Sequence, residues 1–594
     1  MLMLLSFGCR KEAKLDTLAV SKSNIKEIVS FVFRSADNPS LLLDLPSVII
    51  NDTIFLPQTS DSTNRLFKPT ITVSDDAMIL ERIDTIMDFN HEVTFTIMAH
   101  DSSTRKYVTS WQKVPAPRLS GFKINGVPVA YDSVNNTYYF PGSLTTPVTA
   151  FKATFDTMQA PKLLFDGMFL GFDSLNNISL PVNNTITIAA ATVTGQTGAA
   201  ARLVITGLPI VQLSTTTTIG DDEINAGVSL IDPDSATHGG KYFISSDCTI
   251  KLRGATSRYN PKRPYGLKMK DSNGKNTDIP VMGMRGDQSW ILDAMYIDKS
   301  RMANRLCTDL WNSYNNVPYI TSEPDAFNGT HGYFVEVFLN REYIGVYCMT
   351  EKLDRKQIKA KKSGGFVYKA DDWTNATLLN GADLMYDNSV DTWNGWESQY
   401  PDAKDDVAMD WAPLYNLVNF IGTSSDTDFI SNISSHVYLD NIADYLILLN
   451  IMGGTDNVGK NTFLSVYNVN KGQQFFYSPW DMDNTMGFMM GELYTPTNIF
   501  LGEDNKLLSR LLELDPGGFR GMVKARWNAL KTDQLSKATV NKRMETYRDL
   551  LVNTNAIERE SARWGTVDVS STVAAMQNWY GEHYDFLDNI FSNY

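Results

Sequence analysis

The chain has 594 residues and carries 67 Asp plus Glu against 53 Lys plus Arg, a formal net charge of −14 at pH 7. A chain of this length exceeds what one hydrophobic core usually organises, so about two to four domains are expected. The acidic balance argues against nucleic acid or anionic lipid as a partner, because both require clustered cations.

Hydrophobic residues make up 43% and charged residues 20%, ordinary proportions for globular protein. No run beyond the N-terminus reaches the roughly 18 apolar residues of a membrane helix. The start, MLMLLSFGC, is a short apolar run closed by Gly8-Cys9 and followed by polar RKEAKLDTLAVSKSN. It reads as the end of a bacterial lipoprotein signal peptide without its cationic beginning, with Cys9 as the lipidated residue and 1–22 as anchor and leash. The competing reading is a buried N-terminal strand. Cys248, Cys307 and Cys348 allow one disulfide at most, not a framework. The six histidines are scattered without paired spacing, which makes a zinc site improbable.

From residue 23 to 115, short alternating runs such as IVSFVF, SVIINDTIFL and EVTFTIMAHD are separated by turn-rich pieces. Alternation rich in Thr, Val, Ile and Phe is the half-buried strand pattern, and its spacing predicts a β-sandwich. The string VTFTIMAHDSSTRKYVTSW resembles the closing hairpin of small Ig-like domains of Bacteroidetes surface lipoproteins. Residues 116–211 repeat the pattern and predict a second sandwich. The two would space the C-terminal domain from a membrane, or bind glycan or protein through loop aromatics such as Tyr138, Tyr139 and Phe140.

After the Thr-rich connector LSTTTTIGDDE, residues 212–594 are expected to form one α+β domain. The loop GATSRYNPKRP groups Arg253, Arg258, Lys262 and Arg263 just before Lys268, a cationic set suited to phosphate or simply solvated. Lys268 lies in an alternating strand and, if inward, needs a carboxylate; Glu351 is the candidate, and Lys369 is a rival lysine. Asp298 is expected to cap a helix in which Arg301 and Arg305 stand four apart and reach an acidic loop or a phosphate together. Residues 374–440 read as a lid or, more simply, a connecting helix pair. The C-terminal stripes Leu508, Leu511, Leu512 and Val523, Trp527, Leu530 face a core.

The most informative stretch is 443–488. An apolar helical run ends at Gly453-Gly454, a loop offers Asp456, and Asn461 follows five residues later before a strand. A second apolar run, FFYSPW, delivers Asp481 and then Asp483. Phosphoryl transfer needs a carboxylate for the attacking hydroxyl, plus side-chain oxygens that hold divalent ions against the phosphates. Asp456 and Asn461 have the D-x-x-x-x-N spacing of a kinase catalytic loop, with Asp481 on the next hairpin. Taken alone, such residues also suit any loop between a helix and a hairpin.

Upstream pieces add to this reading. RPYGLKMKDSNGK, GMRGDQSWILDAMYIDKSRMANRLCTDLW, YFVEVFLNREYIGVYCMTEKLDR, GGFVYKADDW, PWDMDNTMG and the terminal RWG lie in one order between about 254 and 565. In these the chain resembles the CotH kinase family, the spore-coat-protein-H type of atypical protein kinase. The resemblance implies a kinase-like fold that uses ATP with Mg²⁺ or Mn²⁺ to phosphorylate serine in secreted or surface proteins. It gives Asp456 the catalytic role, Asp481 a metal and Asn461 a second metal contact. Asp483 is either a further ligand or a solvated carboxylate, and Lys268, Glu351, Lys369, Arg258 and Arg305 are candidates for the nucleotide phosphates.

The expected protein is a lipid-anchored extracytoplasmic kinase, held to the outer membrane through Cys9, acting on a secreted or surface protein. The main alternative is a catalytically silent kinase-like scaffold that binds protein or glycan. A glycoside hydrolase is disfavoured, since no carboxylate pair stands beside aromatic platforms.

Overall fold

The computed structural model describes residues 23–57, 65–111, 117–157, 160–192, 197–402, 405–472 and 474–594, so the expected anchor at Cys9 lies outside the described residues. Two compact units result. The first takes Met1–Phe122, Thr154–Phe172 and Ile188–Ala200. Its alternating runs form strands, for example Thr94–Met98, where Phe95 and Ile97 turn inward. A three-stranded and a five-stranded sheet contribute side chains to one core. Phe31, Phe33, Phe67, Phe89 and Phe95 form its aromatic centre, with neighbouring rings 4.7–6.2 Å apart.

The second unit contains Lys123–Ala153, Asp173–Thr187 and Ala201–Tyr594. Here Tyr138, Tyr139 and Phe140, expected on a binding loop, are instead buried within the strand Thr137–Pro141. Tyr139 packs against Phe338 and Tyr343, so these rings offer no exposed binding face.

A closed barrel of seven strands follows, running in neighbour order Ile210–Ser214, Ile224–Ile231, Phe243–Leu252, Tyr265–Lys270, Ser289–Asp293, Glu342–Glu351 and Gly332–Leu339. The Thr-rich stretch is the loop between its first two strands. Period-two burial sends Tyr265, Leu267 and Met269 inward and leaves Lys268 outside. The hairpin Gly332–Leu339 and Glu342–Glu351 turns at Asn340 and Arg341, both with positive φ.

Helix Ala303–Tyr314 starts where Asp298 accepts the Ser300 and Ala303 backbone N–H groups at 2.7 and 2.8 Å. Arg301 therefore precedes the helix, with a left-handed φ of 59°, and does not share a helical face with Arg305.

An antiparallel five-stranded sheet comes next, in the order Thr392–Trp393, Trp396–Tyr400, Phe366–Ala370, Thr462–Val466, Phe475–Pro479. Residues expected as a lid or helix pair thus supply the two strands at one side of the sheet, followed by helices Ala412–Thr423 and Asp426–His436. Helix Leu439–Met452 is buried from Asn441 to Met452 on every side, as an almost wholly apolar helix should be. The C-terminal helices from Lys506 onward pack Leu508, Leu511, Val523, Trp527 and Leu530 into the same core. Cys248, Cys307 and Cys348 are free and buried. Among the described residues no helix is long and apolar enough to cross a membrane.

Candidate active site

The central helix stops at Gly453, whose φ of 63° is left-handed and where a Cβ would meet the Trp579 ring at 2.6 Å. Only glycine suits both constraints. The released chain makes the short turn Thr455–Asn457 and presents Asp456. One carboxylate oxygen accepts the Trp373 indole N–H at 3.2 Å, the other the Asn461 amide at 2.9 Å.

Asn461 opens the strand Thr462–Val466, and Asp481 follows the partner strand Phe475–Pro479, so hairpin pairing sets them at the same end of the sheet. The Asn457 amide donates to the Asn461 carbonyl at 2.9 Å and to the Trp480 carbonyl at 2.8 Å, clamping the two strand ends together. Asn461 and Asp481 both hold left-handed φ values, 53° and 55°. Asn and Asp tolerate that region better than other residues with a Cβ, although it still costs free energy.

These groups line one cleft of about 390 Å³, together with Asp293, Asn304, Asp371, Lys369, Arg253, Arg305 and Asp483. Asn304 bridges two carboxylate-bearing segments: its amide donates to Asp293 at 3.1 Å and its oxygen accepts the Met482 N–H at 3.1 Å. Neither Asp481 nor Asp483 has a hydrogen-bond donor or cation within contact among the described residues. Desolvation by the cleft walls is the main force raising the Asp481 carboxyl above its ordinary range; Asp293 adds to it, and Arg253 and Lys369 oppose it. Asp483 is pushed well above that range by desolvation and then by the charges of Asp481 and Asp293.

The cations divide into two kinds. Lys369 pairs with Asp371, and Arg305 with Asp309 at 2.6 Å, so their charges are already matched. The Arg253 guanidinium lies 5.5 Å from the Trp480 ring centre, with no carboxylate in contact. Burial lowers its pKa, while Asp293 and Asp481 act in the other direction. Lys262, fully buried at the cleft wall, shares Glu560 with Arg301 at 2.6 and 3.0 Å, and burial draws its ammonium down to about 8.

Lys268 and Glu351, expected as a lysine–carboxylate pair, do not meet. Lys268 instead pairs with Glu223 at 2.5 Å outside the barrel. Glu351 accepts from the backbone of His331 and Arg285, the His331 ring and the Gln357 amide. Arg258 is held by Asp221 at 2.9 Å and the Gly254 carbonyl, away from the carboxylates. Asp293, Asn304, Asn457 and Trp373 carry much of the geometry without standing out in the sequence. Asp293 and Trp373 do lie in the segments WILD and GGFVYKADDW, but nothing there separates them from neighbouring acids and aromatics.

A second cleft of about 600 Å³ adjoins the first, sharing Arg253, Ile291, Lys369 and Trp480. Its lining carries Lys268, Lys352 and Arg355 beside Glu223, Asp354 and Glu397. The Lys352 ammonium has no ion pair or hydrogen bond among the described residues, and burial lowers its pKa.

Among the described residues, no three carboxylate, imidazole or thiol groups form a ready-made metal cage. The donors do fit a smaller role, because Mg²⁺ is commonly held by one or two carboxylates plus the substrate's phosphates. Asp481 and Asp483, with no donor or cation in contact among the described residues, offer oxygens of that kind on one cleft.

A seven-stranded barrel followed by an α+β body defines a multidomain protein with an α+β C-terminal region. The match is to the family described as "CotH kinase protein", over residues 250–588, and the chain belongs to that family. No curated protein matches. Among solved structures, a DUF4623 family protein from Bacteroides eggerthii DSM 20697 is 11% identical, with 45% of this chain and 77% of that one covered and a TM-score of 0.12. The N-terminal four Ig domains of Dscam1 isoform 1.9 give 10%, 42%, 62% and 0.09.

Proposed function

We propose that the chain is a metal-dependent phosphotransferase that moves the ATP γ-phosphate to a serine or threonine hydroxyl of an extracytoplasmic protein. The observation that carries this is the meeting of Asp456, Asn461 and Asp481 at one cleft with the unmatched Arg253. Asp456 accepts the hydroxyl proton as that oxygen bonds to the γ-phosphorus, and the bond to the β–γ bridging oxygen breaks to release ADP. Asp481, with Asn461 and Asp483, would hold Mg²⁺ or Mn²⁺, which when bound neutralises phosphate charge. The nucleoside occupies the second cleft, and its phosphates pass Arg253 and Lys369 toward Asp481. Arg253 contributes charge without first breaking an ion pair.

Outside the family segment, we place the protein beyond the cytoplasm on a lipid at Cys9, with Ig-like N-terminal sheets as spacers. Support comes from the Gly8-Cys9 junction and the alternating strands. A purified protein given labelled ATP and Mn²⁺ tests the chemistry. Label should pass to protein acceptors in wild type and fall to background in Asp456→Ala; equal transfer by both would refute the assignment.

A further inference from the structure

We infer that Trp373 is a positioning residue for Asp456, and that its indole N–H, rather than its bulk, sets the plane in which that carboxylate meets an acceptor. A carboxylate has about four lone-pair sites and rotates freely unless donors hold it. Here Asn461 holds one oxygen at 2.9 Å and Trp373 the other at 3.2 Å, so the plane is fixed from both ends. The remaining lone pairs stay available for a hydroxyl.

The support behind the indole is built from local chemistry. Trp373 follows the strand Phe366–Ala370, whose last carbonyl accepts the Asn461 N–H at 2.9 Å. Both donors to Asp456 are thus tied to the same end of one sheet. The loop is pinned where the Asp371 and Asp372 N–H groups share the Gly395 carbonyl at 2.8 and 3.1 Å, and where the Thr374 hydroxyl reaches the Asn394 carbonyl at 2.7 Å. The Trp373 N–H bonds back to the Asp372 side chain at 2.8 Å.

The ring lies against Gly459, where a Cβ would stand 3.1 Å from two of its carbons and 2.6 Å from a Leu378 methyl. Glycine at 459 is what lets the indole approach. Trp373 nevertheless remains 43% exposed, so packing alone does not explain a large ring at this place. A hydrogen bond to the Asp456 carboxyl oxygen does.

This inference rests on the phosphotransfer reading for its kinetic consequence, though not for the contact itself. With ¹⁵N-indole labelling of the 11 tryptophans, Trp373→Phe should remove one N–H peak and thereby assign it. Asp456→Ala should then move that peak; an unmoved peak overturns the contact. In the transfer assay, Trp373→Phe should lower kcat about tenfold while KM for ATP stays within about twofold, the split expected for a lost transition-state interaction. Gly459→Ala, which keeps the indole but displaces it, should do the same. An unchanged kcat in Trp373→Phe overturns the positioning role. If wild type transfers no phosphate but the peak responds to Asp456→Ala, the contact stands and the phosphotransfer reading falls.

Discussion

Two charged clusters border the same cleft and are treated in opposite ways. Around Glu560, every charged group touches an opposite charge: Lys262 and Arg301 share one carboxylate oxygen, and the other accepts the Val346 N–H at 2.8 Å. Around Asp481, desolvation and then Asp293 raise the carboxyl of 481, desolvation and then Asp481 and Asp293 raise that of 483, and Arg253 touches none of the three among the described residues. Carboxylates crowded together without a donor or cation in contact cost free energy, and such sets cluster at functional sites. The contrast separates a cluster whose charged groups are paired within the fold from one whose carboxylates are assigned by the proposal to a metal-bound phosphate.

The largest expected effect bears on the open cluster. Asp456→Ala should reduce transfer by about 10³-fold, in the range for a lost proton acceptor, with the melting temperature unchanged. Chelation of divalent metal should abolish transfer just as fully.

The closed cluster should respond in the other currency. Glu560→Gln leaves two buried cations short of an anion and should cost about 3 kcal/mol of stability, seen as a lower denaturation midpoint. Adding Lys262→Met should recover part of that loss.

Arg253→Ala should raise KM for ATP about tenfold, whereas Lys268→Ala should change it less than twofold, since Lys268 already serves Glu223 at a partly exposed site. A reversed order would move the nucleotide away from Arg253.

The smallest effect is on stability near the open cluster. The folded-state carboxyl of Asp483 titrates above its unfolded value, so the folded protein holds that proton longer and loses stability as pH rises through the interval. Without metal, Asp483→Asn should therefore raise the melting temperature by about 2 °C at neutral pH, a gain that fades as pH falls toward the ordinary carboxylate range. A gain that grows with acidification would reverse the sign.

How much of this was legible in the sequence follows from the range of each interaction. Asp456, Asn461 and Asp481 stand within one helix–loop–hairpin segment, where spacing alone limits where side chains can go. The lysine partner was not legible in that way. Alternation shows which face Lys268 occupies but not what lies across from it, and the buried pair Lys262–Glu560 joins residues 298 apart. Tyr138, Tyr139 and Phe140 mislead similarly: the run reads as a loop until the strand Ala201–Thr206, far along the chain, pairs beside it. Arg301 fell outside its helix because the Asp298 carboxylate reaches from the Ser300 N–H to the Ala303 N–H, where the helix begins, and leaves Arg301 in the left-handed turn between them.

The most direct test of the central claim, that the uncompensated carboxylates await a metal-bound nucleotide, is the melting temperature with ATP and Mn²⁺. Selective binding to the folded state must raise it. The account predicts a clear rise in wild type that vanishes in Asp481→Ala. The same rise in both proteins, or none in wild type, would contradict it.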